Sequence, residues 1–232
     1  MRVLCSICMR KNSRGLKNKN FKKLHNKPLL YYTINQALKS RIFSKIVVST
    51  DSEKIMELSK KYKAEVFFKR PKKLSSSNVS KIEVIKHLFK KSENHFNQKF
   101  DYIVDLDVTS PIRKPKNIRE AFNKVLKNNL DILFSVTKSR KNPYFNMIQE
   151  NTSKYFDIIK KNKLIYSRQK APKCYDMNAS IYIWKRNALL NNRSLFTKNN
   201  GIYLMPEESA FDIDSLLDFN IVEHLMKKYK YE

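Results

Sequence analysis

The 232-residue sequence predicts an α/β protein: a doubly wound, mostly parallel, Rossmann-like sheet with a small protruding arm. Three observations carry that expectation. Short apolar runs of strand length alternate with stretches whose apolar residues recur every three to four positions. A hydrophobic share of 41% is ample for a buried core. The alternation breaks once, between about Ser139 and Ala171, in a polar and aromatic stretch without helical period.

Val3 to Ile7 is the first strand, and it opens into a basic loop, Met9-Arg10-Lys11-Asn12-Ser13-Arg14-Gly15, followed by Lys17, Lys19 and Asn20. Pro28 suits a helix start, and Pro28 to Ser40 sets Leu30, Ile34, Ala37 and Leu38 on one side. Ile46 to Ser49 reads as a short buried strand, after which Thr50, Asp51 and Ser52 offer cap chemistry for a helix reaching Tyr62. The alternation continues with Glu65 to Phe68 as strand, Val79 to Lys91 as helix, Tyr102 to Leu106 as strand, Pro115 to Asn128 as helix and Ile132 to Val136 as strand. Ser180 to Trp184 rejoins the sheet, and a last helix from Ser215 to Lys228 carries a buried stripe of Leu217, Ile221, Val222, Leu225 and Met226. Residues 1–138 and 172–232 therefore form the core and 139–171 an excursion. Its Tyr144, Phe145, Tyr155, Phe156 and Tyr166 are poor company for water, which predicts a covering partner subunit or a meander folded back on its own domain.

Lys and Arg number 48 against 21 Asp and Glu, a net charge of +27 that favours anionic ligands by long-range attraction. The lysines are spread through nearly every segment, and no RRM, helix-turn-helix or zinc-finger pattern accompanies them, so no specific nucleic-acid partner is expected. No apolar run approaches the roughly 20 residues of a membrane span, and the first is too short for a secretory signal. The expectation is a soluble cytoplasmic protein without a membrane partner. Cys5 and Cys8 have zinc-like spacing, but residues three apart on a strand point to opposite faces, which favours core packing.

Three polar groups lie where a strand gives way to a loop. Arg10, Ser13, Arg14, Lys19 and Asn20 put N–H donors and fixed cations at one sheet edge, where a polyphosphate can be held. That loop matches neither the Walker A spacing nor the three-glycine dinucleotide fingerprint, and its plain alternative is a solvated basic loop. Asp105-Leu106-Asp107-Val108-Thr109-Ser110-Pro111-Ile112-Arg113 is the second group and Asp212-Ile213-Asp214 the third. In extended chain, residues two apart project to one side, so Asp212 and Asp214 can aim at one hard cation such as Mg2+, and Asp105 with Asp107 forms a second candidate pair. The structural alternatives are Asp214 as the N-cap of the last helix, Asp105 as a buried carboxylate paired with a lysine, and Thr109 and Ser110 as turn stabilisers. None of the four histidines has a nucleophile partner in a recognisable arrangement. Paired carboxylates beside a cationic loop suit phosphoryl or nucleotidyl transfer, which rests on positioning and charge stabilisation.

Several segments taken in order, Arg10, Ser13, Gly15, Lys19 and Asn20, then Lys27-Pro28-Leu29, Tyr32-Thr33-Ile34, Val47-Val48-Ser49-Thr50-Asp51-Ser52, Arg70-Pro71 with Leu74, Thr109-Ser110-Pro111-Ile112-Arg113, Asn142-Pro143-Tyr144, Asn178 with Ile181-Tyr182, and Asp212-Ile213-Asp214, resemble the acylneuraminate cytidylyltransferases over essentially the whole chain. The resemblance implies a nucleotide-diphospho-sugar transferase type of fold and transfer of CMP from CTP to the anomeric hydroxyl of an acidic nine-carbon keto sugar, a step of surface-glycan biosynthesis, with release of pyrophosphate. It implies Mg2+ as cofactor and a homodimer made through the arm. Carried over by position, Arg10 and Lys19 would hold the triphosphate with Asn20 beside them. Asp212 and Asp214 would hold the metal, and Ser13, Arg14, Ser80, Asp107, Thr109, Ser110, Arg113 and Asn178 would bind substrate.

The chain departs from the family where two glycines are usual and it has Lys11 and Asn12, where glutamine is usual and it has Asp107, and where aspartate is usual and it has Ser77. A carboxylate at position 107 would repel an acidic sugar unless it meets metal or a cationic or hydroxyl group. These changes favour a bacterial relative for legionaminic or pseudaminic acid over one for plain N-acetylneuraminic acid. The rival readings are an eight-carbon keto-sugar acid cytidylyltransferase, a GTP-dependent enzyme, a family member that binds CTP without turnover, and a basic RNA-binding protein.

Overall fold

The first apolar run becomes β1 (Val3–Cys8), and in this computed structural model residues 1–11, 15–161, 165 and 167–231 are described. A two-residue ribbon, β2 (Lys23–Leu24) with β3 (Lys27–Pro28), leads into α1 (Leu29–Ser40), β4 (Lys45–Ser49), α2 (Glu53–Lys61), α3 (Lys81–Phe96), β5 (Tyr102–Leu106) and α4 (Pro115–Lys127). Then come β6 (Ile132–Lys138), β7 (Ile148–Glu150), β8 (Phe156–Ile158), β9 (Tyr175–Lys185), α5 (Arg186–Asn191), β10 (Asn200–Leu204) and α6 (Leu216–Lys228).

The main sheet has six strands in the order β10-β6-β9-β5-β1-β4. β1 pairs in parallel with β4 and β5, and β10 with β6, while β9 runs antiparallel to both β5 and β6. Alternation along the strands splits the core between two faces, as a doubly wound sheet requires. Val3, Cys5 and Ile7 pack with Val104 and Leu106 against Leu30, Ile34, Ile118, Phe122 and Val222 on one face. Leu4 and Ile103 pack with Ile85, Leu88, Phe89, Trp184 and Leu189 on the other. Cys5 belongs to the first face and Cys8 borders the second, so their spacing makes no metal pair. No described helix is long and apolar enough to cross a membrane.

Several expectations change. Glu65 to Phe68 forms no strand: only Glu65 bridges Val47, after which Phe67 stacks on His95 and Phe68 meets His87, turning the segment onto α3. α3 itself is displaced, beginning at Lys81 and continuing past Lys91 to Phe96. β9 extends to eleven residues because its first part pairs with Val136, Thr137 and Lys138, beyond an irregularity that Ser135 fills by accepting from the Ile181 N–H. β10 and α5 are additional elements, the first a short edge strand whose pattern is too brief to read. Leu217 is exposed, and the buried stripe of α6 is Phe219, Val222 and Met226. Leu38, too, is exposed.

Within residues 139–171 the described structure contains the hairpin β7–β8, a separate two-stranded sheet that does not join the main one. Tyr155 is 74% and Phe156 66% exposed there, and Ile148 is also open to solvent. Tyr166 lies outside the described residues.

Candidate active site

A cleft of about 650 Å³ opens beyond the carboxyl ends of β1 and β5, the position where open α/β sheets take ligands. Its wall brings together Arg10, Lys19, Asn20, Asp107, Thr109 and Asp214, which come from all three polar groups of the sequence. Ser13 and Arg14 lie outside the described residues.

The loop after β1 is tied to the segment before α6. Lys19 Nζ donates to Asp214 Oδ1 and to the Ile213 carbonyl, each at 2.9 Å. Asn20 is buried and donates to the Arg10 carbonyl at 3.1 Å, which makes it a brace for the loop. Gly15 is required by close approach: a Cβ there would stand 2.0 Å from the Asp214 carbonyl oxygen. Ile213 N–H donates to the Thr109 carbonyl at 2.8 Å, fastening the third polar group to the second.

Asp107 has cationic and hydroxyl partners that offset its charge. Its Oδ1 accepts from the Thr109 N–H and Oγ1 at 3.1 Å, and its Oδ2 accepts from Lys81 Nζ at 3.0 Å. Burial pushes this carboxyl up, but Lys81 and Thr109 outweigh it and hold the group below the ordinary aspartate value. Asp105 is the buried carboxylate paired with a lysine: it is 1% exposed, accepts from Ser6 Oγ at 2.6 Å and sits 3.0 Å from the same Lys81 Nζ.

Asp212 is not part of the cleft wall, yet its carboxyl is pushed up by burial and by the negative fields of Asp214 and Asp107. Among the described residues no set of three or more His, Cys, Asp or Glu side chains converges as a metal cage. A carboxyl disfavoured from ionising by burial and by a neighbouring carboxylate suits a hard cation that keeps several waters and takes phosphate oxygens, as Mg2+ does. The residues present therefore fit such an ion.

Four expected substrate contacts stand elsewhere. Arg113 is 1% exposed, donates to the Ser180 carbonyl at 2.6 Å and to Thr33 Oγ1 at 3.2 Å, and is pushed down to about 10 by burial. Ser110 Oγ donates to the Asn178 carbonyl at 3.0 Å, inside the core. Asn178 accepts from Ser135 Oγ at 2.6 Å and donates to the Ser209 carbonyl at 3.0 Å. These three brace the turn after β5 against β9. Ser80 is exposed at the start of α3, and its neighbours Val79 and Lys81 line the cleft in its place. Helix α6 is capped by Ser215, whose Oγ accepts from the Asp218 N–H at 3.1 Å, so Asp214 is not its N-cap.

Lys81 is a wall residue that sequence reasoning did not single out, and Arg70, named only as part of a matching segment and given no role, is another wall residue. Arg70 is buried and donates through Nε to Ser49 Oγ at 2.9 Å. A lysine opening a helix carries no signal of its own, although the need of buried Asp105 for a cation pointed to one.

The cytidylyltransferase family profile matches residues 4–231. The "Post-translational flagellin modification protein B" of Campylobacter coli is 46% identical over 226 residues, 97% of this chain and 95% of that protein. The "CMP-N,N'-diacetyllegionaminic acid synthase" of Campylobacter jejuni subsp. jejuni is 44% identical over 224 residues, 97% of this chain and 94% of that protein. Among solved structures, a CMP:2-keto-3-deoxy-manno-octonic acid synthetase complexed with CTP superposes with a TM-score of 0.71 at 14% identity, over 99% of this chain and 100% of that one. At that identity the likeness speaks for the fold.

Proposed function

The chain belongs to the cytidylyltransferase family, and from that premise we propose that it transfers CMP from CTP to the anomeric hydroxyl of a nonulosonic acid, releasing pyrophosphate. The observation that supports this most is the convergence of Arg10, Lys19 and Asp214 on one cleft beside Asp107 and Thr109. We put N,N'-diacetyllegionaminic acid first among the sugars, since a relative named for it matches nearly end to end and its acetamido N–H groups suit a carboxylate acceptor such as Asp107.

The anomeric oxygen attacks the α-phosphorus and forms the new P–O bond. The bond from that phosphorus to the bridging oxygen breaks, its electron pair leaves with pyrophosphate, and the hydroxyl proton is released to solvent. Arg10 and Lys19 hold the triphosphate and offset the charge that builds on the departing group, while Asn20 keeps the Arg10 backbone in place. Cytidylyltransferases that use CTP generally work with a divalent metal, and Asp212 and Asp214 are the residues that would hold Mg2+, which when bound orients phosphate oxygens and withdraws charge from them. Consumption of CTP supports a cytoplasmic reaction, and the exposed aromatics of β7–β8 support a homodimer built on the arm.

The test is the mass of the product formed from CTP or GTP with legionaminic, pseudaminic, N-acetylneuraminic and eight-carbon keto-sugar acids. Lys19→Met is expected to lower kcat/KM roughly 10- to 150-fold, the loss of about 1.5–3 kcal/mol in charged hydrogen bonding. No CMP-sugar from any pair, or full activity without Lys19, would overturn the assignment.

A further inference from the structure

Lys81 Nζ stands 3.0 Å from both Asp105 Oδ2 and Asp107 Oδ2 and 4.4 Å from the centre of the Tyr182 ring. Two carboxylates and one aromatic face thus surround the ammonium: it donates to Asp107, is ion-paired with Asp105 and lies over the Tyr182 ring. Asp105 is bonded to Ser6 and enclosed in the core, so its ion pair anchors Lys81 from below. Asp107 is fixed in turn: Oδ1 takes two donors from Thr109 and Oδ2 takes one from Lys81. A carboxylate accepts about four hydrogen bonds. One acceptor position therefore remains, on a side chain that lines the cleft.

We propose that Lys81 is a positioning residue for ligand selection, holding Asp107 as a single-site acceptor for one N–H or O–H group of the bound ligand. The inference rests on the cytidylyltransferase reading and adds to it a residue that the resemblance does not assign. The donor has two possible sources, the nucleotide's amine or ribose hydroxyls and the sugar acid's hydroxyl or acetamido groups. In either case the shared ammonium leaves Asp105, Asp107 and Lys81 with one net negative charge instead of two, which lets an anionic ligand approach.

Steady-state kinetics of the full chain with CTP and N,N'-diacetyllegionaminic acid, for wild type, K81M, K81R, D107N and the K81M/D107N double variant, test this. K81M is expected to raise KM about tenfold for one substrate and leave the other within about twofold, and the affected substrate identifies the donor's source. K81R, which can still bridge two carboxylates, restores KM to within about threefold of wild type. D107N shifts the same KM, and the double variant is no worse than K81M alone, because both changes remove one interaction. Unchanged KM values in K81M, a K81R as impaired as K81M, or additive effects in the double variant would overturn the proposal. Should K81M fail to fold in a thermal melt, K81R and D107N carry the comparison. A wild type that makes no CMP-sugar refutes the parent reading instead, and calorimetric titration of CTP and of the sugar acid into wild type and D107N then decides: equal affinities for both ligands end the role of Lys81.

Discussion

The guanidinium of Arg113 donates to Ser180 and Thr33 inside the core, so its charge serves the turn after β5. Arg113→Met should therefore destabilise the protein by about 2–4 kcal/mol, as buried acceptors lose their donor, while KM values for the surviving folded fraction stay within about twofold. Urea unfolding beside steady-state kinetics checks both halves. Arg113, Ser110 and Asn178 were legible as polar residues at a strand end, but sequence does not say whether such a residue points out to the cleft or back into the layer beneath. Asp107 shows the reverse: the sequence asks for metal or a cationic or hydroxyl group beside it, and within the protein the structure supplies Lys81 and Thr109. Its depressed carboxyl carries a sign. Stabilisation from this group is complete above the unfolded aspartate value of about 4 and is lost as pH falls through the lower folded value. The stability gap between wild type and K81M should accordingly be equal at pH 7 and pH 5 and narrow at pH 3, as read by chemical denaturation at each pH.

At the scale of elements, α6 separates two roles that the sequence left merged. Ser215 and Asp218 exchange hydrogen bonds as a capping box, and Asp214 pairs with Lys19 across the cleft. Ser215→Ala should cost about 1 kcal/mol of stability with activity retained at saturating substrate. Asp214→Ala should leave the melting temperature nearly unchanged and abolish CMP transfer. The helices α1 and α4, with a clear period, and β5, an almost wholly buried apolar run, were readable to within a residue or two because their burial pattern is their own. Glu65 to Phe68 was not, since its strand-like run is claimed by aromatic contacts with α3, and β10 was not, since five residues at a sheet edge make no distinctive pattern.

Across the whole molecule, the doubly wound sheet followed from alternation alone, while the strand order and the antiparallel run of β9 are long-range facts that no local pattern encodes. The convergence of three distant polar segments was expected from resemblance and is geometric in the fold. Exposed Tyr155 and Phe156 predict that the protein sediments as a dimer and that Phe156→Asp shifts it to monomer without loss of the monomer's fold, measurable by sedimentation equilibrium and circular dichroism. β9 starts beside the arm, pairs with Lys138, and then becomes an inner rung bonded to neighbours on both sides. The same ribbon holds the Ser110 and Arg113 side chains that brace the turn after β5. Swinging the arm would mean flexing a beam clamped along both edges, so the homodimer we propose would, by gripping that end, also stiffen the floor of the cleft.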